Sequence, residues 1–408
     1  MTKATRRHVV IVGAGFGGLT CARRLARHAD VEVTIIDRNP YQVFAPLLYQ
    51  VATGGLPEDD IAYPVRAAVP GARFRRGDVV RISPERHTLR LDDGTVVGWD
   101  ELVLAMGSTG TTFGIPGVAE YALQMKTIRE ARAIKHRLLQ TYEDVETGRL
   151  PKEALRVVVV GGGPTGVEVS GAVAELQRAM RHEFPDLHRL ASVTLVEAGP
   201  RLLPTFSEKS SAHAKSELEH LGVRVLLASA VDRMYPSDVH LVSGEVLPAG
   251  TIVWAAGVCA PERWRDLGSV DRANRLEVSP TLQLDQDVWV IGDLAHCTGP
   301  DGRPYPMVAS VAMQMGRYVA DAIVRRWRGE ELESFRYKDK GQMATIGRRR
   351  AVVELPNGLR LHGTPAWLSW LGLHVFYLAG GRHRVSVIAD WFWNYLAWGV
   401  GPRRTVID

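Results

Sequence analysis

Two glycine patterns of one form, Gly13-x-Gly15-x-x-Gly18 and Gly161-x-Gly163-x-x-Gly166, each follow a short valine-rich run and each lead into helical periodicity. In "HVVIVGAGFGGLTCARRLARH" the apolar residues Leu19, Ala22, Leu25 and Ala26 fall on one helical face behind the glycines. A strand, a glycine turn and a helix in this order leave little choice of fold. The first glycine admits the tight turn, the second lets the backbone approach a pyrophosphate, and the third lets helix and strand pack closely. Phosphates then sit at the helix N-terminus, where free N–H groups favour anions. Both second strands end in an acid: "VEVTIID" at Asp37, nineteen residues after Gly18, and "VTLVEAG" at Glu197, delayed by the insertion "LQRAMRHEFPDLHRL". An acid there accepts ribose hydroxyls and repels a 2′-phosphate, favouring NADH over NADPH. The bland alternative is that the turns only shape two α/β units. Strand, helix and acid recurring in both places argue for bound nucleotides.

Further strands run into small residues behind each pattern: "DELVLAMGS" (100–108) and "AGTIVWAAGV" (249–258). Later, "LDQDVWVIGDLAHC" delivers Gly292 and Asp293 to the start of an expected helix. An aspartate there hydrogen-bonds the sugar-like chain of a flavin dinucleotide, caps the helix, or does both. The order along the chain implies nesting. The expectation is an α/β fold with two Rossmann-like dinucleotide-binding domains, an NADH domain (150–279) inserted between FAD-domain parts (1–115 and 280–334). A helical bridge (116–149) connects them, and strands with amphipathic membrane-anchoring helices follow (335–408).

The tail differs in composition. "TPAWLSWLGLHVFYLAG" (364–380) has no charged residue, and "VSVIADWFWNYLAWGVG" (385–401) has only Asp390. Trp367, Trp370, Trp391, Trp393 and Trp398 lie in these runs, half of the chain's ten tryptophans. From Phe335 onward eleven Lys/Arg face four Asp/Glu, so this segment carries +7 of a total of +5 and the remainder about −2. Aromatics in uncharged runs flanked by basic residues suit an anionic lipid surface rather than a nucleic acid. Thr364 reads as an N-cap with Pro365 at the first helical position. Seventeen helical residues span roughly 25 Å, short of a hydrocarbon core of about 30 Å. In the second run Ser386, Asp390 and Asn394 form a polar stripe, which suits a helix lying in the interface. A dimer contact or a buried lid is the competing reading. At the other end, the apolar run before Gly13 is too short for a signal peptide and reads as a strand. Cys21, Cys259 and Cys297 are too few and scattered for a disulfide framework, which suits a reducing compartment.

The chain resembles the type II NADH dehydrogenases, single-subunit NADH:quinone oxidoreductases of the two-dinucleotide-binding flavoprotein superfamily. "DRNPYQVFAPLLYQVATGGL" (37–56) is the most specific stretch, with "GGGPTGVEVSG", "TIVWAAGV", "VWVIGDLAH" and "YKDKGQMATIGRRRAVVEL" in family order. The resemblance implies noncovalent FAD, NADH as substrate, menaquinone or ubiquinone as acceptor, no metal and no proton pumping. It further implies a homodimer held peripherally on the cytoplasmic face of the cell membrane. The cysteines agree, because none stands where disulfide, coenzyme-A-disulfide or peroxide reductases place a redox cysteine.

By the same resemblance, FAD falls to Gly13, Gly15, Phe16, Gly17, Gly18, Asp37, Arg38, Pro46, Val79, Ala105, Met106, Gly107, Asp293 and Ala309. NADH falls to Gly161, Gly163, Pro164, Thr165, Gly166, Glu197, Ala256 and Gly257. Glu168, Gln314 and Lys340 are the expected catalytic positions, and Ser310, Gln314 and Met343 the expected quinone contacts. Each has a plainer reading. Glu168 is also a first-turn glutamate complementing a helix dipole, and Lys340 a solvated lysine. The family usually writes AQxAxQ where this chain has Ala309-Ser310-Val311-Ala312-Met313-Gln314. Serine offers a quinone carbonyl a shorter reach and fewer bonds than glutamine. That departure keeps one rival in view, an NAD(P)H-dependent reductase with another acceptor; a rival of another class is a redox sensor that binds NADH without turnover.

Overall fold

The computed structural model describes residues 6–396, which form two compact units. The first comprises Met1–Val43, Ala62–Thr109 and Val258–Asp339; the second comprises Phe44–Ile61, Gly110–Gly257 and Lys340–Asp408.

The first unit is built on a six-stranded sheet in the order Gln283–Asp285, Val288–Val290, Glu101–Leu104, Arg7–Val12, Val31–Asp37, Arg73–Arg76. All neighbours are parallel except the pair at the Gln283 edge. Val9, Val10 and Ile11 are fully buried, which is why the first strand is apolar without alternation. Its successor Val31–Asp37 lies on one side and Glu101–Leu104 on the other. The Gly13 turn therefore sits where the strand order reverses, the usual ligand crevice of such sheets. The helix Phe16–Leu25 packs on the late helix Ala309–Trp327 so closely that a Cβ on Gly316 would lie 2.4 Å from the Gly17 carbonyl. Glu101, buried in this unit, accepts from Trp289 Nε1 (2.8 Å) and Trp327 Nε1 (2.7 Å) and pairs with Arg326.

The second unit repeats the plan with a five-stranded parallel sheet: Leu123–Gln124, Thr251–Trp254, Arg156–Val160, Ser192–Val196, Val223–Leu226. The helix Ile128–Glu146 starts at a capping box: Thr127 Oγ1 accepts from the Glu130 amide, and Glu130 accepts from the Thr127 amide. The helix Pro164–Ala179 is covered by an antiparallel sheet of Gln342–Gly347, Arg350–Glu354 and Arg360–His362. A Cβ on Gly171 would lie 1.7 Å from the Ile346 carbonyl, so only glycine permits this contact.

Two expected helix starts are corrected. The first tail helix runs Gly363–Tyr377, with His362 rather than Thr364 at its N-cap, and the second runs Gly381–Leu396. Gly292 and Asp293 begin no α-helix; they form a short 3-10 turn, Gly292–Leu294, followed by a strand, because the chain must pair again at Ala295–His296. Trp398 lies outside the described residues.

Gly171→Ala should lower stability by about 3 kcal/mol, because a methyl forced onto a fixed carbonyl overpacks the contact. Gly372→Ala, on an open face of the first tail helix, should be neutral or raise stability by about 0.5 kcal/mol. Thermal melts of the two variants check this.

Candidate functional site

Each glycine turn has the same internal geometry. In the first unit a Cβ on Gly13 would lie 2.2 Å from the Ala105 carbonyl, and one on Gly18 1.9 Å from the Gly13 carbonyl. In the second, Gly161 meets Ala255 and Ala256 at 2.6 Å and Gly166 meets the Gly161 carbonyl at 1.8 Å. The middle glycines differ: nothing lies within 4 Å of a Cβ built on Gly15 or Gly163. The outer two glycines are therefore required by the protein itself. The middle one is free of protein contact and faces open space at a helix N-terminus, the position from which backbone reaches a pyrophosphate. Both units fit a dinucleotide on this test.

The strand-end acids hold these turns. Asp37 accepts from the amides of Ala14 (2.7 Å) and Asn39 (2.8 Å). Glu197 accepts from those of Gly162 (2.5 Å) and Gly199 (2.6 Å). A carboxylate has about four acceptor sites, so each acid retains capacity for ribose hydroxyls. Burial raises the Asp37 pKa, opposed by its two amide bonds. A Cβ on Gly162 would lie 2.8 Å from the Glu197 carboxylate, whereas Ala14 carries its methyl beside the shorter Asp37.

Around the first turn the structure gathers Phe16 and Gly17 at the helix start and Ala105, Met106 and Gly107 behind Gly13. Asp293 accepts from Ser108 Oγ at 2.6 Å, a partner the sequence reading missed although it ends the quoted "AMGS". Ala309 opens the late helix, whose Ala312 comes within 3.3 Å of a Cβ on Gly292. Arg38 is exposed and Val79 is buried in the core. Pro46 lies in the turn Ala45–Leu47 and belongs to the second unit. There Pro164 and Thr165 start the helix, and the Phe113 ring comes within 2.7 Å of a Cβ built on Gly257. Phe113, exposed and at φ 50°, had no signal in the sequence reading.

The remaining positions divide between the units. In the first, Ser310 Oγ and the Tyr337 hydroxyl are 2.9 Å apart. Gln314 bonds the backbone of one residue: its Nε2 donates to the Lys338 carbonyl and its Oε1 accepts from the Lys338 amide, both at 2.9 Å. In the second, Lys340 is exposed and Met343 packs against the cluster of Ala351, Val353, Ala366 and Trp367. Glu168 Oε1 accepts from the Thr345 amide at 3.5 Å, two residues along the strand from Met343. Burial pushes the Glu168 carboxyl up to about 8, with that amide opposing.

The pyridine nucleotide-disulphide oxidoreductase family model matches residues 7–316. The type II NADH:quinone oxidoreductase Ndh of Mycobacterium tuberculosis is 35% identical over 426 aligned residues, covering 96% of this chain and 89% of that protein. The chain belongs to the type II NADH:quinone oxidoreductases. A family member from Haemophilus influenzae is 30% identical, covering 86% of this chain and 87% of its own length. The NDH2 of Plasmodium falciparum, solved in complex with NADH, superposes with a TM-score of 0.90 over 98% of this chain and 100% of that one. At 21% identity this last likeness speaks for the fold alone.

Glu168 yields a pH prediction. Its pKa in the folded chain lies above the ordinary 4.5, so the folded state holds a proton that the unfolded state releases. Its contribution to stability is full below about 4.5 and is lost as pH rises through about 8. Wild type should therefore lose melting temperature relative to Glu168→Gln between these limits. Parallel melting curves for the two proteins across that range would count against a half-buried, protonated Glu168.

Proposed function

We propose that this protein is a peripheral membrane enzyme that passes two electrons from NADH, through FAD, to a membrane quinone without pumping protons. The observation that carries the reading is the pair of glycine turns with contact-free middle glycines and anchored acids, in a chain of this family. FAD is the cofactor, held without a covalent bond, and NADH is the substrate. The first unit takes FAD through Gly13, Gly15, Gly18, Asp37 and Asp293; the second takes NADH through Gly161, Gly163, Gly166 and Glu197. Bound FAD supplies a ring that accepts hydride and passes electrons onward. The chain's own residues position and exclude. Glu197 accepts ribose hydroxyls and disfavours a 2′-phosphate. Glu168 enters neutral at ordinary pH and can give or take a proton at its carboxyl. Ser310, paired with Tyr337, offers a hydroxyl to a quinone carbonyl in place of the usual glutamine.

The membrane reading is supported by exposed apolar side chains on both tail helices: Leu368, Leu373 and Phe376 on the first, Val385, Ile388 and Phe392 on the second. Ser386 and Asp390 of the expected polar stripe are partly buried, while Val387 and Trp391 face the protein, leaving the outer face apolar. The Asn394 side chain lies outside the described residues. No described helix is long and apolar enough to cross a membrane. On the strength of those exposed apolar side chains the enzyme is placed on the bilayer, at its cytoplasmic face and as a homodimer. A second reading, another electron acceptor, is favoured by Ser310, whose hydroxyl is paired with that of Tyr337.

Anaerobic absorbance tests the chemistry. NADH should bleach the flavin band, and a short-chain quinone should restore it promptly; bleaching that quinone leaves unreversed would point to another acceptor. Ser310→Gln should then shift the quinone KM and leave the bleaching step unchanged. Gly15→Val should yield folded protein without flavin absorbance. Gly163→Val should keep the flavin and raise the NADH KM by tenfold or more, about 1.4 kcal/mol of lost binding.

A further inference from the structure

Within the second unit, a cavity of about 680 Å³ opens between the segment 51–58 and the helix Ile128–Glu146. Arg129, Arg132, Lys135, His136 and Arg137 line it, against Glu58 as the one acid among its lining residues. Glu58 is already paired with Arg132 at 3.4 Å. Arg129, Arg132, Ala133, His136 and Arg137 recur at helical spacing on one face, while Ile128, Ala131, Ile134 and Leu138 bury the other. The small Ala133 in the middle of the basic face leaves room. The facing wall is apolar, with Val51, Leu56 and Pro57. A cavity of this size, cationic on one side and apolar on the other, suits an amphiphile that carries a phosphate.

The wall is also the seat of the tail. Trp391 Nε1 donates to Gln50 Oε1 at 2.8 Å, one residue before Val51, and the turn Glu58–Ile61 packs against the helix Gly381–Leu396. One short segment is thus gripped at both ends by the tail helix and faces the cationic cavity between them. The outer side of that helix exposes Val385, Ile388 and Phe392.

We propose that this cavity binds the phosphate-bearing headgroup of an anionic phospholipid, beside the helix that enters the acyl region. The inference rests on the peripheral-membrane reading and adds to it a specific headgroup site. The site gives the enzyme a preference for anionic bilayers that diffuse surface charge alone does not supply.

The test is co-sedimentation of the full-length holoenzyme with vesicles of phosphatidylcholine alone or mixed with phosphatidylglycerol. Arg129→Gln/Arg137→Gln should lower partition into mixed vesicles roughly 30-fold, at about 1 kcal/mol per removed charge, and leave neutral vesicles and NADH oxidation by a water-soluble quinone unchanged. Ala133→Trp, which fills the cavity and removes no charge, should also abolish the preference. Lys152→Gln/Arg189→Gln, removing exposed charges elsewhere on the unit, should not. Ile388→Ser/Phe392→Ser should weaken binding to both vesicle types; if it does not, the membrane reading itself fails. Wild-type preference in the Arg129/Arg137 or Ala133 variant, or an equal loss in the Lys152/Arg189 control, overturns the headgroup site. Saturable calorimetric binding of inorganic pyrophosphate that Arg129→Gln/Arg137→Gln abolishes, with no vesicle preference in wild type, would assign the cavity to a soluble anion instead.

Discussion

The strand-end carboxylate bonded to a glycine-turn amide is the interaction on which both units depend. It fixes the turn to the neighbouring strand, and the turn in turn fixes the start of the helix. With Asp37 on Ala14 and Glu197 on Gly162, each turn is tied to the strand beside it. The outer glycines then allow carbonyl contacts that no side chain would tolerate. Preorganisation of this kind means that the amides facing the phosphate need little ordering when a nucleotide arrives.

The parts legible in the sequence are those whose cause is local. Strand, turn, helix and acid lie within a few tens of residues, and their spacing follows from backbone sterics. The tight turn at Gly13 and the close helix–strand packing at Gly18 could therefore be read from spacing alone, and Asp37 ends its strand beside that turn. Partners distant in sequence could not. Ser108 meets Asp293 across 185 residues, and the two oxygens of Glu101 are shared among Trp289, Arg326 and Trp327. Gln314 illustrates the limit. Nothing in its spacing announces that its carboxamide bonds the Lys338 backbone, 24 residues along the chain, beside any ligand contact it makes. The start of the first tail helix was misplaced for a related reason. A threonine before a proline is a good cap in isolation, yet Gly363, at φ 67°, lets the helix begin directly off the strand Arg360–His362.

The tail also shows how burial redistributes a pattern. Trp370 stacks on His374 at 4.0 Å and packs near Trp391, and burial lowers the His374 pKa to about 4, so this imidazole stays neutral. Tryptophans that composition alone would send to a headgroup region thus divide their work. Trp367, Trp370 and Trp391 seat the helices on the protein, while Trp393 and Phe392 remain outside. An apolar run can serve two surfaces at once, because a helix has more circumference than one contact covers.

The two glycine turns carry acids that differ by one methylene, and that difference propagates. Asp37 is short enough to leave space for the methyl of Ala14; Glu197 reaches so far that the matching position has to be Gly162. Lengthening the first acid would drive its carboxylate into a side chain, and adding a side chain to the second turn would evict the acid that holds it. Acid and neighbour therefore form a coupled choice, Asp with Ala or Glu with Gly. Divergence at either turn is confined to paths that change both members together or pass through a weakened intermediate.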